Sequence, residues 1–235
     1  MQLPNVESEN GKSIFPQTSP THIVIPDLST FIPENSVGLI MEWFNIHHVS
    51  LRISKARSSK FGDYRPPVKP LPARISVNRN LNKFDFLITL VHEMAHHEVC
   101  IENSTPFTLF GIRRKKRRAR PHGKEWKNRY QQLMNPLIRE SIFPEEVLPL
   151  LVNHFENPRS SSKSNSHLVI ALKKYDAPDD SVFIESLNFN TEFSLPAGRT
   201  FRKQEKLRKR YRCICLDNGR TYLFSPLARV VPRKI

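Results

Sequence analysis

Apolar residues recur along this chain at two spacings, and the change from one to the other marks its elements. Behind Pro33, with Glu34 in the first turn, Val37, Ile40, Met41 and Phe44 follow at helical spacing and predict a helix. Val49, Leu51 and Ile53 then alternate with Ser50, Arg52 and Ser54, the mark of a half-buried strand. Ala56 to Pro72 is basic and proline-rich and reads as a loop; Arg74 to Val77 reads as a second strand that Asn78 to Asn82 ends. The most strongly patterned helix comes next. Asn82 or Asp85 can cap it, and Phe86, Leu87, Leu90, Val91, Met94 and Ala95 give it a broad apolar surface. A basic loop, from about Ser104 to Arg120, separates it from a helix opened by Pro121, His122 and Gly123, in which Trp126, Tyr130, Leu133 and Met134 fall on one face. Pro144 to Phe155 predicts a further helix despite Pro149.

Past the polar run NPRSSSKSNS the pattern changes. Leu168 to Leu172 and Val182 to Ile184 look like strands, and Tyr211 to Leu216 and Arg220 to Phe224 flank Asp217-Asn218-Gly219, a strong hairpin signal. The predicted organisation is a loose arm over 1–30, a domain of helices and strands over 31–156, a linker over 157–166 and a small basic all-β module over 167–235. The fold class is α+β.

Composition narrows the setting. No stretch approaches the roughly 20 apolar residues of a membrane helix, and the first residues carry no signal-peptide pattern, so the expected compartment is the cell interior: cytoplasm, including the nucleoid, or the nucleus of a eukaryotic cell. Cys100, Cys213 and Cys215 are too few for a disulfide scaffold; Cys213 and Cys215 sit two apart and would share one face of a strand. The net charge of +15 is concentrated. Residues 112–130 hold ten Lys/Arg against Glu125, and residues 199–212 hold eight against Glu205; these segments sum to +9 and +7, which leaves −1 for the rest of the chain. A near-neutral body with two basic segments points to a polyanionic partner, DNA or RNA; the alternative is a pair of solvated basic surfaces. The residues singled out are Arg113, Arg114, Lys115, Lys116, Arg117 and Arg118 in the first segment and Arg208, Lys209 and Arg210 in the second.

The chemistry lies in HEMAH, residues 92–96. Four residues apart on a helix, His92 and His96 present both imidazoles on one face, where they can share a metal ion. Glu93 projects beside that face, poorly placed as a ligand but able to reach a water on the metal. Zinc lowers the pKa of such a water, and a carboxylate accepts the proton as the water attacks. Catalytic zinc takes three protein ligands and keeps one position open. His97 is turned away from His96 on the helix, and among the other histidines His122 is best placed, because the chain reverses there ahead of Gly123.

HEMAHHEV followed by RPHGKEWK resembles the SprT-like family of zinc metallopeptidase domains, and RISKARSSKFGDYR, RISVNRNL and FLITLVHEMAHH fit its flanks over roughly residues 30–155. The resemblance implies one zinc per chain on His92, His96 and His122, Glu93 as catalytic acid/base, and a zincin-like layer of helices packed on a small sheet. Many members carry a four-cysteine zinc ribbon near the C-terminus; Cys213 and Cys215 alone cannot build one, so no second zinc is expected. The expected function is zinc-dependent hydrolysis of peptide bonds in a protein substrate close to nucleic acid. The alternative is a nucleic-acid-binding or regulatory protein with a zinc site and little proteolysis. Glu93 separates the two, since a purely structural site has no use for it.

Overall fold

The computed structural model describes residues 23–57, 60–104, 107–109, 112–114, 120–139, 141–156, 158, 165–195 and 198–233. It is a mixed α+β structure with two separate apolar cores. Before the first helix, in the stretch read as a loose arm, Leu28 is buried in the larger core and the Val24 carbonyl accepts from the Leu51 N–H, so the end of that stretch is anchored at these two points.

Helix α1, Glu34–His47, ends where His48 takes left-handed geometry and its N–H bonds the Phe44 carbonyl. Ser36, Ile40, Trp43 and Phe44 form its buried face. Strand β1, Ser50–Ser54, follows the expected alternation. The segment read as a loop holds a further strand, β2, Gly62–Arg65. Four residues with one glycine carry too little period to be seen alone; β2 exists because β3, Arg74–Asn78, supplies its hydrogen-bonding partner. Central β3 runs parallel to β1 and antiparallel to β2.

Asn82 caps α2, Lys83–Ser104, by accepting from the Phe84 and Asp85 N–H groups at 3.1 and 2.9 Å. The helix packs on β2 and β3 and is buried over most of its length. The basic stretch behind it is no plain loop: β4, Phe107–Leu109, and β5, Ile112–Arg114, pair antiparallel there. Helix α3, Lys124–Met134, buries Trp126, Tyr130 and Met134, spaced by four, against α2. Glu98 of α2 clamps three helices: it accepts from Trp43 Nε1 of α1 at 2.6 Å and pairs with Arg129 Nε of α3 at 3.0 Å. Helix α4, Leu148–Glu156, starts four residues later than expected, which puts Pro149 in its first turn, where no amide donor is required.

The expected strand at Leu168–Leu172 is instead helix α5, Ser166–Lys173, capped by the Asn165 side chain. Leu168, Ala171 and Leu172 enter the larger core. Asn82, already the cap of α2, donates to the Leu172 carbonyl at 3.0 Å and to Asp176 Oδ1 at 2.8 Å. Residues 165–175 therefore pack with the unit assigned to 31–156, and the change of architecture falls near Val182. A short apolar run is ambiguous between helix and strand, and the packing against α4 settled it.

Strands β6 (Val182–Phe183), β7 (Glu192–Ser194), β8 (Thr200–Lys206), β9 (Tyr211–Cys215), β10 (Thr221–Phe224) and β11 (Arg229–Pro232) form one sheet in the order β10-β9-β8-β7-β11-β6. Ile184, Phe193, Phe201, Tyr211, Cys213, Cys215 and Val230 make its core; Cys213 and Cys215 share the inner face as free thiols. The β9–β10 hairpin turns over Leu216 to Arg220, with Gly219 at φ 67° and its N–H on the Cys215 carbonyl. The connection is five residues rather than the three of Asp217-Asn218-Gly219, because β9 ends at Cys215 and β10 begins at Thr221. Among the described residues no helix is long and apolar enough to cross a membrane.

Because α5 belongs to the larger core, Leu172→Ala, outside the 31–156 segment, should lower the stability of that core by about 2–4 kcal/mol. Denaturant unfolding followed by tryptophan fluorescence reads this directly, since the chain's two tryptophans, Trp43 and Trp126, both lie in that core. An unchanged midpoint would return α5 to the C-terminal unit.

Candidate metal centre

Helix α2 is the base of the site. Its buried face holds it against β3, β2 and α3, so the direction of His92, Glu93 and His96 is set by packing along two turns on either side. The third histidine arrives from the chain reversal before α3. His122 has φ 56°, a left-handed geometry that costs a non-glycine residue roughly 1 kcal/mol. Gly123 follows as the residue preceding α3, and its N–H closes a turn on the Arg120 carbonyl at 2.9 Å.

The three imidazoles converge through their Nε2 atoms. His92 and His122 are 3.2 Å apart, His92 and His96 3.3 Å, and His96 and His122 3.0 Å. Three nitrogen ligands at 2.0–2.1 Å in a tetrahedral site would stand about 3.3–3.4 Å from one another. The donor set fits a single shared ion within a few tenths of an ångström, and this half-buried group is one a metal ion can occupy. Burial pushes the His92 imidazole down to about 3, helped by its two histidine neighbours, and the His96 imidazole down to about 4; His122 is lowered by burial too. The rings are therefore neutral at pH 7, the form that binds metal.

An aromatic wall backs the three rings. Trp126 lies 4.6, 5.5 and 4.7 Å, centroid to centroid, from His92, His96 and His122. Its indole N–H points at the His92 carbonyl at 3.4 Å. Tyr130 stacks beyond it and donates its hydroxyl to the Ile88 carbonyl at 3.1 Å. That bond and full burial make Tyr130 a core residue with no group to offer an oxyanion. A cleft of about 440 Å³ runs from His122 along Lys124, Lys127, Asn128 and Gln131 to Glu156 and Pro158; of the three histidines, His122 alone lines it.

Glu93 lies between α2 and β2, 7% exposed. Burial pushes its carboxyl up to about 7 and nearby Asp63 adds to this; Lys60, the Tyr64 N–H and Arg57 act in the other direction. A carboxyl poised near neutrality can take up and release a proton at physiological pH. The β2 residues that shape this environment, Gly62, Asp63 and Tyr64, are not marked in the sequence, which reads there as part of a basic loop that ends in prolines.

The other predicted site residues are distributed unevenly. Arg208, Lys209 and Arg210 form the exposed tip between β8 and β9, closed by the Leu207 N–H on the Arg210 carbonyl at 2.8 Å. Arg113 and Arg114 lie in β5, with only their backbone described; Lys115, Lys116, Arg117 and Arg118 lie outside the described residues. No family model, no curated protein and no solved structure matches the chain.

His92→Ala, His96→Ala and His122→Ala should each abolish stoichiometric metal uptake, measured by elemental analysis after dialysis; retention by His122→Ala would remove it from the ligand set. The metal-free fold should also weaken in acid. His92 and His96 have folded-state values far below the ordinary 6.5, so the unfolded chain takes up their protons first. Their contribution is complete above about pH 6.5 and is lost as pH falls towards about 4 and then 3, which thermal melts across that range will register.

Proposed function

We propose that this chain is a zinc-dependent metalloendopeptidase of zincin-like architecture, with His92, His96 and His122 as zinc ligands and Glu93 as general base. The observation that carries the reading is the convergence of three neutral imidazole nitrogens beside a buried carboxylate that immediately follows the first of them in sequence. Three nitrogen donors, with no fourth His, Cys, Asp or Glu joining the group among the described residues, are the ligand set of catalytic zinc, whereas structural zinc is closed by four protein ligands. The resemblance of HEMAH and RPHGKEW to SprT-like domains supports the same assignment.

Zinc, when bound, supplies Lewis-acid polarisation of the scissile carbonyl and acidifies a water. The rest falls to the chain's own groups. Glu93 accepts the proton of the attacking water and delivers it to the departing amine nitrogen, two transfers that suit a carboxyl held near neutrality by burial. Trp126 and Tyr130 exclude water from behind the ligands and keep the imidazoles in register. The cleft along Lys124, Lys127 and Asn128 offers the substrate chain a route past His122.

The substrate proposed is a protein held near nucleic acid. The β8–β9 tip supports this, since Arg208, Lys209 and Arg210 are exposed together on one hairpin. The rival, a nucleic-acid-binding or regulatory protein with little proteolysis, shares the tip but gives Glu93 no task.

Glu93→Gln separates them. The amide keeps the size of the side chain but cannot take a proton, so zinc content should stay at one per chain while cleavage of test proteins, with and without DNA, falls by about 10²–10⁴-fold. Equal turnover in the variant would remove the general base; no turnover in the wild type would favour the rival. For nucleic-acid binding, log–log plots of affinity against salt should be steep. With Arg208, Lys209 and Arg210 changed to Gln, the slope should flatten by about 0.9 for each phosphate the tip no longer neutralises. An unchanged slope would leave the tip a solvated surface.

A further inference from the structure

Strand β2 approaches the Glu93 carboxylate more closely than any side chain would permit. A Cβ placed on Gly62 would stand 2.5 Å from Glu93 Oε1, 2.8 Å from Glu93 Cγ and 2.9 Å from Thr89 Cγ2. The usual reason for a strand glycine is absent: among the described residues the glycines of positive φ are Gly198 and Gly219, and Gly62 is not one of them. Space is what Gly62 provides, and Glu93 fills it. Two residues along the same strand, the Tyr64 backbone N–H acts on the Glu93 carboxyl and favours its charged form.

The strand that makes these two contacts is held at both ends. Its ladder to β3 pairs Gly62 with Val77 and Tyr64 with Ile75. At its entry, buried Asn78 donates to the Arg57 and Lys60 carbonyls at 3.1 and 3.0 Å and accepts from Arg57 Nε at 2.8 Å, and its own N–H bonds the Phe61 carbonyl at 2.9 Å. At its far side the Tyr64 hydroxyl lies 3.3 Å from His97 Nδ1, which ties β2 back to the helix that carries Glu93.

We propose that the β2 backbone at Gly62 and Tyr64 is the seat that aims the Glu93 carboxylate, with Gly62 as a positioning residue for the hydrolytic step. This rests on the general-base reading of Glu93. A methyl group at position 62 cannot be absorbed by the far end of a flexible chain, because the crowded atoms include Cγ. Glu93 must swing away, and the direction of its carboxylate against β2 goes with it. Misplacement of a reacting group by about 1 Å costs on the order of 100-fold in rate.

The test uses the zinc-loaded full chain and the variants Gly62→Ala, Glu93→Ala and their combination. Gly62→Ala should keep one zinc by elemental analysis and lower kcat on the order of 100-fold with little change in KM, the signature of a group needed in the transition state and not in binding. In thermal unfolding, Gly62→Ala should lower Tm by several degrees when Glu93 is present and by much less in the Glu93→Ala background, since the alanine there leaves the space free. Thr89→Ser, which removes the other crowded carbon, should restore neither kcat nor Tm to Gly62→Ala. Equal Tm losses in both backgrounds, full rescue by Thr89→Ser, or wild-type kcat in Gly62→Ala would each overturn the proposal. Absence of turnover in the wild type would strike the general-base reading alone, and the thermal cycle would still decide whether Glu93 occupies the seat.

Discussion

Three imidazole nitrogens within 3.0–3.3 Å of one another are the constraint on which the rest of the larger unit depends. Two of them come at no conformational cost, since residues four apart on a helix already face the same way. The third must be brought from 26 residues further along the chain, and it needs a left-handed residue at His122 and a glycine behind it. Such a convergence holds only if α2 and α3 cannot slide past each other. Trp126 and Tyr130 wedge between them, and Glu98 bonds both α1 and α3 from a largely buried position. The same packing that fixes the geometry strips water from the rings and keeps them neutral.

Glu93 is governed by a second set of contacts, made by a different element. Its backbone belongs to α2, but its carboxylate is surrounded by β2, and β2 is placed by β3 and by Asn78. The three histidines are thus referred to the helical layer and the carboxylate to the sheet. A perturbation of the 55–65 segment would move the carboxylate and leave the imidazoles in place, whereas a perturbation of the α2–α3 contact would do the reverse.

The six-stranded sheet of residues 182–232 has its own core and contains none of the three clustered histidines. Its inner face is aromatic and sulfur-bearing; its outward residues include Arg202 and Arg212, each paired with a carboxylate, and the exposed tip at 208–210 carries the concentrated charge. Helix α5, directly before it, is anchored in the first core through Leu168 and Leu172 and through Asn82.

By itself the sequence determined the features that depend on near neighbours: the helical face of His92 and His96, the cap at Asn82, the buried spacing of Trp126 and Tyr130, the shared face of Cys213 and Cys215, and the turn at Gly219. Each is a consequence of backbone period or local hydrogen bonding, and His122 was legible through the chain reversal at His-Gly together with a resemblance. Tertiary structure alone decided what depends on a distant partner. Strand β2 is too short to carry a period and exists through β3; residues 168–172 became a helix because a core needed filling beside α4; the Tyr130 hydroxyl went to a carbonyl inside α2. Gly62 is the sharpest case, since nothing within its own segment distinguishes it from a loop glycine. Its role arises where a strand meets a helix about thirty residues further along the chain, and no local pattern of residues records that meeting.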